Sequence, residues 1–320
     1  MNLAEIEYFK KLGITYSSTI AAGAYGVIFK VYVQHYKSEF ALKKIPIKMF
    51  NKTEINCLLS IDDPNIVHLY AIHTLNDYIY LLMELCPSDL DRLIKYKKFI
   101  TPTEVKRYSL NILKSLNACH ERKIAHCDIK PSNFLIDKYD RLKIADFGLS
   151  SIAIEQENSA YFKGTMLFMA PEIFTNHVYD PFAADIWSIG VTIYYIATRK
   201  FPFFSPNSED LKEMIIDGYY DQYLVEDEAL REVISRCLDL NPKTRATVRE
   251  LMEMEYFATS SSSDSVSQIG TFMRRSNSSR FGNLILKPKP IKPSKNIAPI
   301  SSLTTFKPII PYRVQIGSMP

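Results

Sequence analysis

Two short stretches of the chain carry residues whose types and spacing could do chemistry. The first is Ile124-Ala-His126-Cys127-Asp128-Ile129-Lys130-Pro131-Ser132-Asn133-Phe134-Leu135-Ile136, and the second is Ile144-Ala-Asp146-Phe147-Gly148. Each carboxylate lies beside an apolar, strand-like run, where a charge needs a partner. Asp146 and Asn133 offer hard oxygen ligands of the kind that magnesium takes. Asp128 is then left to accept a proton. Lys130, two residues on, is placed to neutralise a phosphoryl group in transfer. Each of these residues alone reads as a polar group on a surface loop. Their order and spacing together make that reading hard to sustain.

Upstream, Ala22-Gly23-Ala24-Tyr25-Gly26 joins two strand-like runs. Glycine accounts for only 10 of the 320 residues, against a usual share of about 7%, so two glycines three apart in one turn carry weight. Glycine lets backbone N–H groups approach an anion that a side chain would block. An ordinary hairpin is the alternative. Lys43, in Phe40-Ala-Leu-Lys43-Lys44-Ile45, points opposite to Leu42 because strand side chains alternate. An inward Lys43 needs an anion, and Glu54, eleven residues on, can supply one while phosphate oxygens supply another. For Lys44 the expectation is a solvated side chain on an edge strand.

The elements that must position these groups follow from patterning. Segments Thr19-Ile20, Val27 to Val33, Glu39 to Ile45, Val67 to Thr74 and Tyr78 to Leu85 read as strands. Ile55, Leu58 and Leu59 recur at helical spacing and predict a helix over Thr53 to Ser60. Residues 89–257 look mainly helical. Thr101-Pro-Thr-Glu104 supplies a cap, a proline and an acid ahead of Val105, Tyr108, Ile112, Leu113 and Leu116. The expected fold class is α+β, with a small β-rich lobe carrying one key helix and a larger, mainly helical lobe.

Composition bounds the rest. Hydrophobic content of 47% and charged content of 23% exclude a wholly disordered, collagenous or disulfide-scaffold chain. The longest apolar stretch, Trp187 to Thr198, falls short of the roughly 18 residues that span a bilayer. Acids near the amino terminus do not suit a signal peptide. Five cysteines without a Cys-x-x-Cys pair suit a reducing compartment. The expectation is a soluble, intracellular protein, cytoplasmic or nuclear, with no membrane association. From Ala258 onward there are nine Lys or Arg and one acid, against thirty bases and thirty-four acids before it. Seven of the seventeen prolines and a serine run lie in the same stretch, which reads as a disordered, basic tail over 258–320. No aromatic interleaving supports a dedicated nucleic-acid site there.

Asp128-x-Lys130-Pro-x-Asn133, Asp146-Phe-Gly148 and Ala170-Pro-Glu172 resemble the signature set of eukaryotic protein kinases of the serine/threonine type. The likeness covers about residues 12–257, with the small lobe near 12–85 and the large lobe near 86–257. Ile20-Ala21-Ala22-Gly23-Ala24-Tyr25-Gly26-Val27-Ile28 looks like the glycine-rich loop, and Phe40-Ala41-Leu-Lys43 like the third-strand lysine motif. Glu54 falls where the family's mobile helix carries its ion-pairing acid, and Asp63-Pro-Asn-Ile-Val67 is similar to the following turn. Gly164-Thr165 precedes Ala-Pro-Glu, Asp185-Ile-Trp187-Ser-Ile-Gly190 matches the buried helix bracing the catalytic loop, and Arg245 sits where Glu172 finds a structural partner. The resemblance implies ATP and Mg2+ as cofactors and proteins as substrates, in signalling or cell-cycle control. It implies that the glycine loop covers the phosphates, that Lys43 held by Glu54 contacts them, and that Asn133 and Asp146 hold the metal. Asp128 would accept the hydroxyl proton and Lys130 would steady the γ-phosphate. Met83 would guard the adenine pocket, lined also by Ala41 and Leu135; the backbone from Glu84 to Cys86 would bind adenine and Asp89 would reach the ribose. Leu58, Leu69, His126 and Phe147 would stack as a spine between the lobes.

Three departures qualify the pattern. Ala21 stands where the loop's first glycine is expected and should modulate nucleotide affinity. Cys127 replaces an arginine that usually binds a phosphate on the following segment, so activity is expected not to depend on phosphorylating residues 149–163, unless Lys163 or another base substitutes. Met169 disfavours a proline-directed grouping, and Ser132 replaces an acid that often holds substrate arginines. Tyr25 reads either as a regulatory phosphorylation site or as a ring packed over the nucleotide. Arg274-Arg275-Ser276-Asn277-Ser278 looks like a target for a basophilic kinase. A catalytically weak kinase-fold scaffold, a dual-specificity kinase and a small-molecule kinase are the alternatives. A metalloenzyme is excluded because the six histidines form no ligand pair at metal spacing. A regulatory partner that holds Glu54 near Lys43 stays open.

Overall fold

A computed structural model describes residues 1–23, 26–50, 52–152, 166–176 and 178–258, with the backbone alone at 52, 53, 151 and 152. Ala24, Tyr25, Lys163, Gly164, Thr165 and the sequence after Ala258, with its Arg274 to Ser278 motif, lie outside the described residues.

A helix that the sequence reading did not anticipate, α1 (Leu3–Lys11), precedes the sheet. Its start is fixed by a reciprocal cap: the Asn2 side chain accepts from the Glu5 amide at 2.8 Å, and Glu5 accepts from the Asn2 amide at 3.2 Å. Five antiparallel strands follow: β1 (Ile14–Gly23), β2 (Gly26–Val33), β3 (Ser38–Pro46), β4 (Leu69–Leu75) and β5 (Tyr78–Glu84). Their spatial order is β1-β2-β3-β5-β4, which puts β3 in the middle. Helix α2 (Lys52–Ser60) interrupts them where the apolar spacing predicts it.

The larger part begins with β6 (Ser88–Asp89), α3 (Leu90–Tyr96) and α4 (Pro102–His120), the last capped by Thr101 and Glu104 as the sequence pattern requires. Short strands β7 (Ile124–Ala125), β8 (Phe134–Ile136), β9 (Leu142–Ile144) and β10 (Ser151–Ile152) carry the loops of interest. Helices α5 (Pro171–Thr175), α6 (Pro181–Thr198), α7 (Ser208–Asp217), α8 (Glu228–Cys237) and α9 (Val248–Glu253) complete the described chain. Helix α6 is apolar nearly all round and buried nearly all round, as such a helix must be. Among the described residues, no helix is long and apolar enough to cross a membrane.

Strand parity divides the core. Phe40 and Leu42 of β3 face one way, into a cluster with Phe9 of α1, Val31, Tyr80 and Leu82. Ile45 faces the other way, into a core that continues through Leu58, Leu69, Ile144 and Phe147 to α4, α6 and α8. Two backbone bonds tie the small lobe to β9: Val67 donates to the Ile144 carbonyl at 3.0 Å, and Ile144 donates to that of Asn65 at 2.8 Å.

Candidate active site

Lys43 leaves β3 on the Ile45 face. Its ammonium donates to Glu54 Oε1 at 2.7 Å and to Asp146 Oδ1 at 2.9 Å. Glu54 is 3% exposed, and the Lys43 side chain is 12% exposed, so the pair is shielded from water. Burial disfavours the Lys43 ammonium, but the charges of Glu54 and Asp146 outweigh it and hold its pKa above the ordinary lysine value. Burial likewise pushes the Asp146 carboxyl up, and Lys43 outweighs that and holds it below the usual range. Asp146 adopts a left-handed backbone (φ 64°, ψ 69°), which turns its carboxylate toward Lys43. Its side chain keeps 44% of its surface open, so the same carboxylate is available to a ligand.

The second group forms on the loop between β7 and β8. Asn133 Nδ2 donates to the Asp128 carbonyl at 2.7 Å and to Asp128 Oδ2 at 3.0 Å, and Lys130 Nζ donates to Oδ2 at 2.8 Å. Asp128 Oδ1 is buried without a protein partner. An orphaned buried carboxylate oxygen costs about 1–3 kcal/mol, and a polar hydrogen from outside the chain would satisfy it. Asn133 spends its amide nitrogen on Asp128, which leaves its side-chain oxygen as a donor atom for a cation. The two groups are joined through the backbone, since the Ala145 amide donates to the Asn133 carbonyl at 2.9 Å.

The loop itself hangs from α6. Asp185, 1% exposed, accepts from the amides of His126 at 2.7 Å and Cys127 at 2.8 Å, and pairs with His120 Nε2 at 3.1 Å. Cys127 is itself held at φ 63°, which these bonds stabilise. The His126 ring meets the Ala145 carbonyl at 3.0 Å and lies edge-on to Phe147, with ring centres 5.0 Å apart. Leu58, Leu69 and Phe147 share one buried cluster, as expected of a spine. Arg245 grips Glu172 with both nitrogens, at 2.6 and 3.0 Å, with its side chain fully buried.

At the turn between β1 and β2, Ala21 pairs with Ile28, Ala22 with Val27 and Gly23 with Gly26. A Cβ on Gly23 would meet no protein atom within 4 Å, so packing within the chain does not require the glycine there. Gly26 has φ 139°, and a Cβ there would lie 2.1 Å from the Lys44 carbonyl oxygen. Only glycine lets this turn rest on β3. Ala41 pairs with Met83 across the sheet, and Met83 is buried. Val27, Ile28, Ala41, Leu135 and Cys86 are half-buried, and Ile20 is exposed.

One expectation needs revision. Lys44 is not a solvated edge lysine: β3 is a central strand, and the Lys44 ammonium lies 2.6 Å from Glu5 Oε1, over the Tyr78 ring at 3.8 Å. Its partner comes from α1, which the sequence reading left out. Glu84 turns its side chain to Lys143 at 2.9 Å, a pairing with no local sequence signal. Asp89 spends its carboxylate on the start of α3, accepting from the Arg92 amide at 2.8 Å. Asp128 also lines an open pocket, with Cys127, Phe168, Met169, Ile173, Tyr179 and Ser188 among others. Among the described residues, no cluster of three or more His, Cys, Asp or Glu could hold a metal by itself. Asp146 and Asn133 fit a cation that takes its remaining ligands from phosphate and water, as magnesium does.

Comparison with known proteins agrees with this arrangement. The protein kinase domain model matches residues 14–257. The chain is 33% identical over 218 residues to sperm motility kinase 2B of Mus musculus, which covers 65% of this chain and 45% of that protein. It is 32% identical over 209 residues to CBL-interacting serine/threonine-protein kinase 18 of Arabidopsis thaliana, covering 64% of this chain and 40% of that one. With the carbon catabolite-derepressing protein kinase of Candida glabrata, identity is 30% over 247 residues, or 75% of this chain and 40% of the relative. The matched stretch is thus less than half the length of each of these relatives.

Proposed function

The chain belongs to the protein kinase family, and on that premise we propose that it transfers the γ-phosphate of Mg-ATP to serine and threonine hydroxyls of proteins. The observation that carries the reading is the joint geometry of Lys43–Glu54–Asp146 and Asp128–Asn133–Lys130, two polar groups in which Asp128 Oδ1 is buried without a protein partner. Asp146 and Asn133 would hold the divalent cation, which neutralises phosphate charge when bound. Lys43 meets the α- and β-phosphates, and the backbone from Gly23 to Gly26 covers them. Asp128 Oδ1 orients the substrate hydroxyl and takes its proton as the oxygen–phosphorus bond forms. The bond to the β-phosphate oxygen breaks, and Lys130 offsets charge on the moving phosphoryl group. Most of this catalysis is positioning and charge neutralisation rather than covalent chemistry.

Three features support the finer assignment. Lys130 within Asp-x-Lys-Pro-x-Asn is the loop of the serine/threonine type, and one of the relatives is named as a serine/threonine kinase. The pocket beside Asp128 is lined by Phe168, Met169 and Ile173, which suits an apolar neighbour of the target residue better than a basic one. No disulfide joins the five cysteines, in keeping with a reducing intracellular compartment. We assign the kinase unit to residues 12–257 and treat 258–320 as a separate basic segment. The test uses Asp128→Asn and Lys43→Met in the full chain, with magnesium, labelled ATP and a general protein substrate. Both variants should lose phosphoryl transfer by a factor of about 10³ or more while remaining folded at assay temperature. Wild-type turnover in either one overturns the assignment.

A further inference from the structure

Helix α1 lies before residue 14, where the family match begins, yet it is built into the sheet that carries Lys43. Phe9 is 1% exposed and packs against the rings of Tyr80 at 4.8 Å and His73 at 5.5 Å. Glu5, 3% exposed, uses Oε1 for both Lys44 (2.6 Å) and the Asn2 side chain (3.0 Å), and Oε2 for the Asn2 amide (3.2 Å). A helix docked only by apolar contact would not need a buried carboxylate, and an unpaired one would be costly.

Lys43 and Lys44 are consecutive on β3, so their side chains leave opposite faces of the sheet. Lys43 is anchored on one face by Glu54 and Asp146, and Lys44 on the other by Glu5. Ion pairs at adjacent residues on opposite faces resist rolling of the strand, beyond what its ladders to β2 and β5 already hold. The carbonyl of Lys44 is also the atom against which Gly26, the first residue of β2, rests. We propose that Glu5 is a positioning residue for nucleotide binding, acting through Lys44 to fix β3 so that Lys43 and Gly26 are held in place toward the phosphates. This role rests on the reading of Lys43 as the lysine that meets the nucleotide.

Steady-state kinetics of the full chain test it, with ATP and peptide varied separately. Glu5→Ala should raise the KM for ATP about tenfold, with kcat and the peptide KM within about twofold of wild type. Lys44→Met, whose thioether stem still covers the Tyr78 ring, should give the same ATP defect and serves if Glu5→Ala folds poorly. Combining the two should add little, because they break one interaction. Glu5→Gln, whose single side-chain oxygen can still accept from Lys44 but without the charge, should raise the KM for ATP less than Glu5→Ala does. A merely structural role predicts a smaller active fraction instead, with kcat falling and KM constant, and that result overturns the proposal. So does an unchanged KM for ATP in Lys44→Met. Lys43→Met is measured alongside: if it is dead while Glu5 and Lys44 variants are normal, only the positioning role fails. If it turns over normally, the nucleotide reading fails with it.

Discussion

Replacing Asp185 by Asn removes a charge without changing shape, and so isolates what the buried carboxylate does. Asp185 serves two consecutive backbone amides, His126 at 2.7 Å and Cys127 at 2.8 Å, one oxygen to each. An asparagine has a single oxygen and can serve only one of them; its NH2 group then faces the other amide, donor against donor. The loss is one charge-assisted bond of about 1.5–3 kcal/mol plus a buried unmet donor of about 1–3 kcal/mol, with a central value of roughly 3–5 kcal/mol within the summed range of about 2.5–6. For a unit of this size that lowers the melting temperature by about 6–20 °C, against a total stability of about 5–15 kcal/mol. The chain therefore stays folded at assay temperature, but its loop is no longer held at the positive φ of Cys127. Asp128 is the next residue, and a displacement of about 1 Å at a reacting group costs about 100-fold in rate. The expected result is a kcat down about 100-fold with the KM for ATP within about twofold of wild type, because Lys43, Glu54 and Asp146 are held from other elements. Single-turnover phosphorylation and a thermal-denaturation scan read both quantities. A large fall in melting temperature with wild-type kcat would refute the view that Asp185 places Asp128.

Two further perturbations act on stability alone. Arg245→Lys keeps a charge but not the fork that meets both Glu172 oxygens and the carbonyls of Ala183 (2.8 Å) and Asp239 (2.9 Å). Its urea midpoint should drop by the equivalent of about 3 kcal/mol at constant m, with KM values unchanged, and a loss under about 1 kcal/mol speaks against the pair. Glu104 is held down to about 2 from an ordinary value near 4.5, first by Lys97 and then by the Thr101 amide. A depressed carboxyl contributes stability above its unfolded value and loses it as pH falls through the folded one. The melting temperature of wild type should therefore decline between about pH 4.5 and 2 more steeply than that of Glu104→Gln, and parallel curves would contradict this.

Much of the site was readable because its residues sit on elements with strong periods. The alternation around Leu42 put Lys43 on the face opposite to it, and the helical spacing of Ile55, Leu58 and Leu59 placed Glu54 in the first turn of a packed helix, where the two meet at 2.7 Å. The box at Thr101 and Glu104 was legible for the same local reason. Contacts set by tertiary approach left no such mark. Lys143 meets Glu84 and His120 meets Asp185 across separations that no period spans. Lys44 was misjudged because its partner lies 39 residues upstream, on a helix short enough to pass as a leader to the first strand.

The division of labour at Asp128 follows from which of its atoms are satisfied. Oδ2 takes both Lys130 and Asn133, so the carboxylate cannot rotate without losing two hydrogen bonds. Oδ1 is left buried and unmet, a cost of about 1–3 kcal/mol that folding alone gives no reason to keep. Strain of this kind is tolerated where a ligand relieves it. A hydroxyl is the group that fits, because it donates one hydrogen bond to Oδ1 and leaves its oxygen lone pairs free to attack. A carboxylate or phosphate oxygen would be repelled at the same point, so a small anion cannot take the place of the substrate. On the proposed reading, the fixed oxygen orients the carboxylate and the open one selects the reactant, so holding the site and doing the chemistry would fall to different atoms of one side chain.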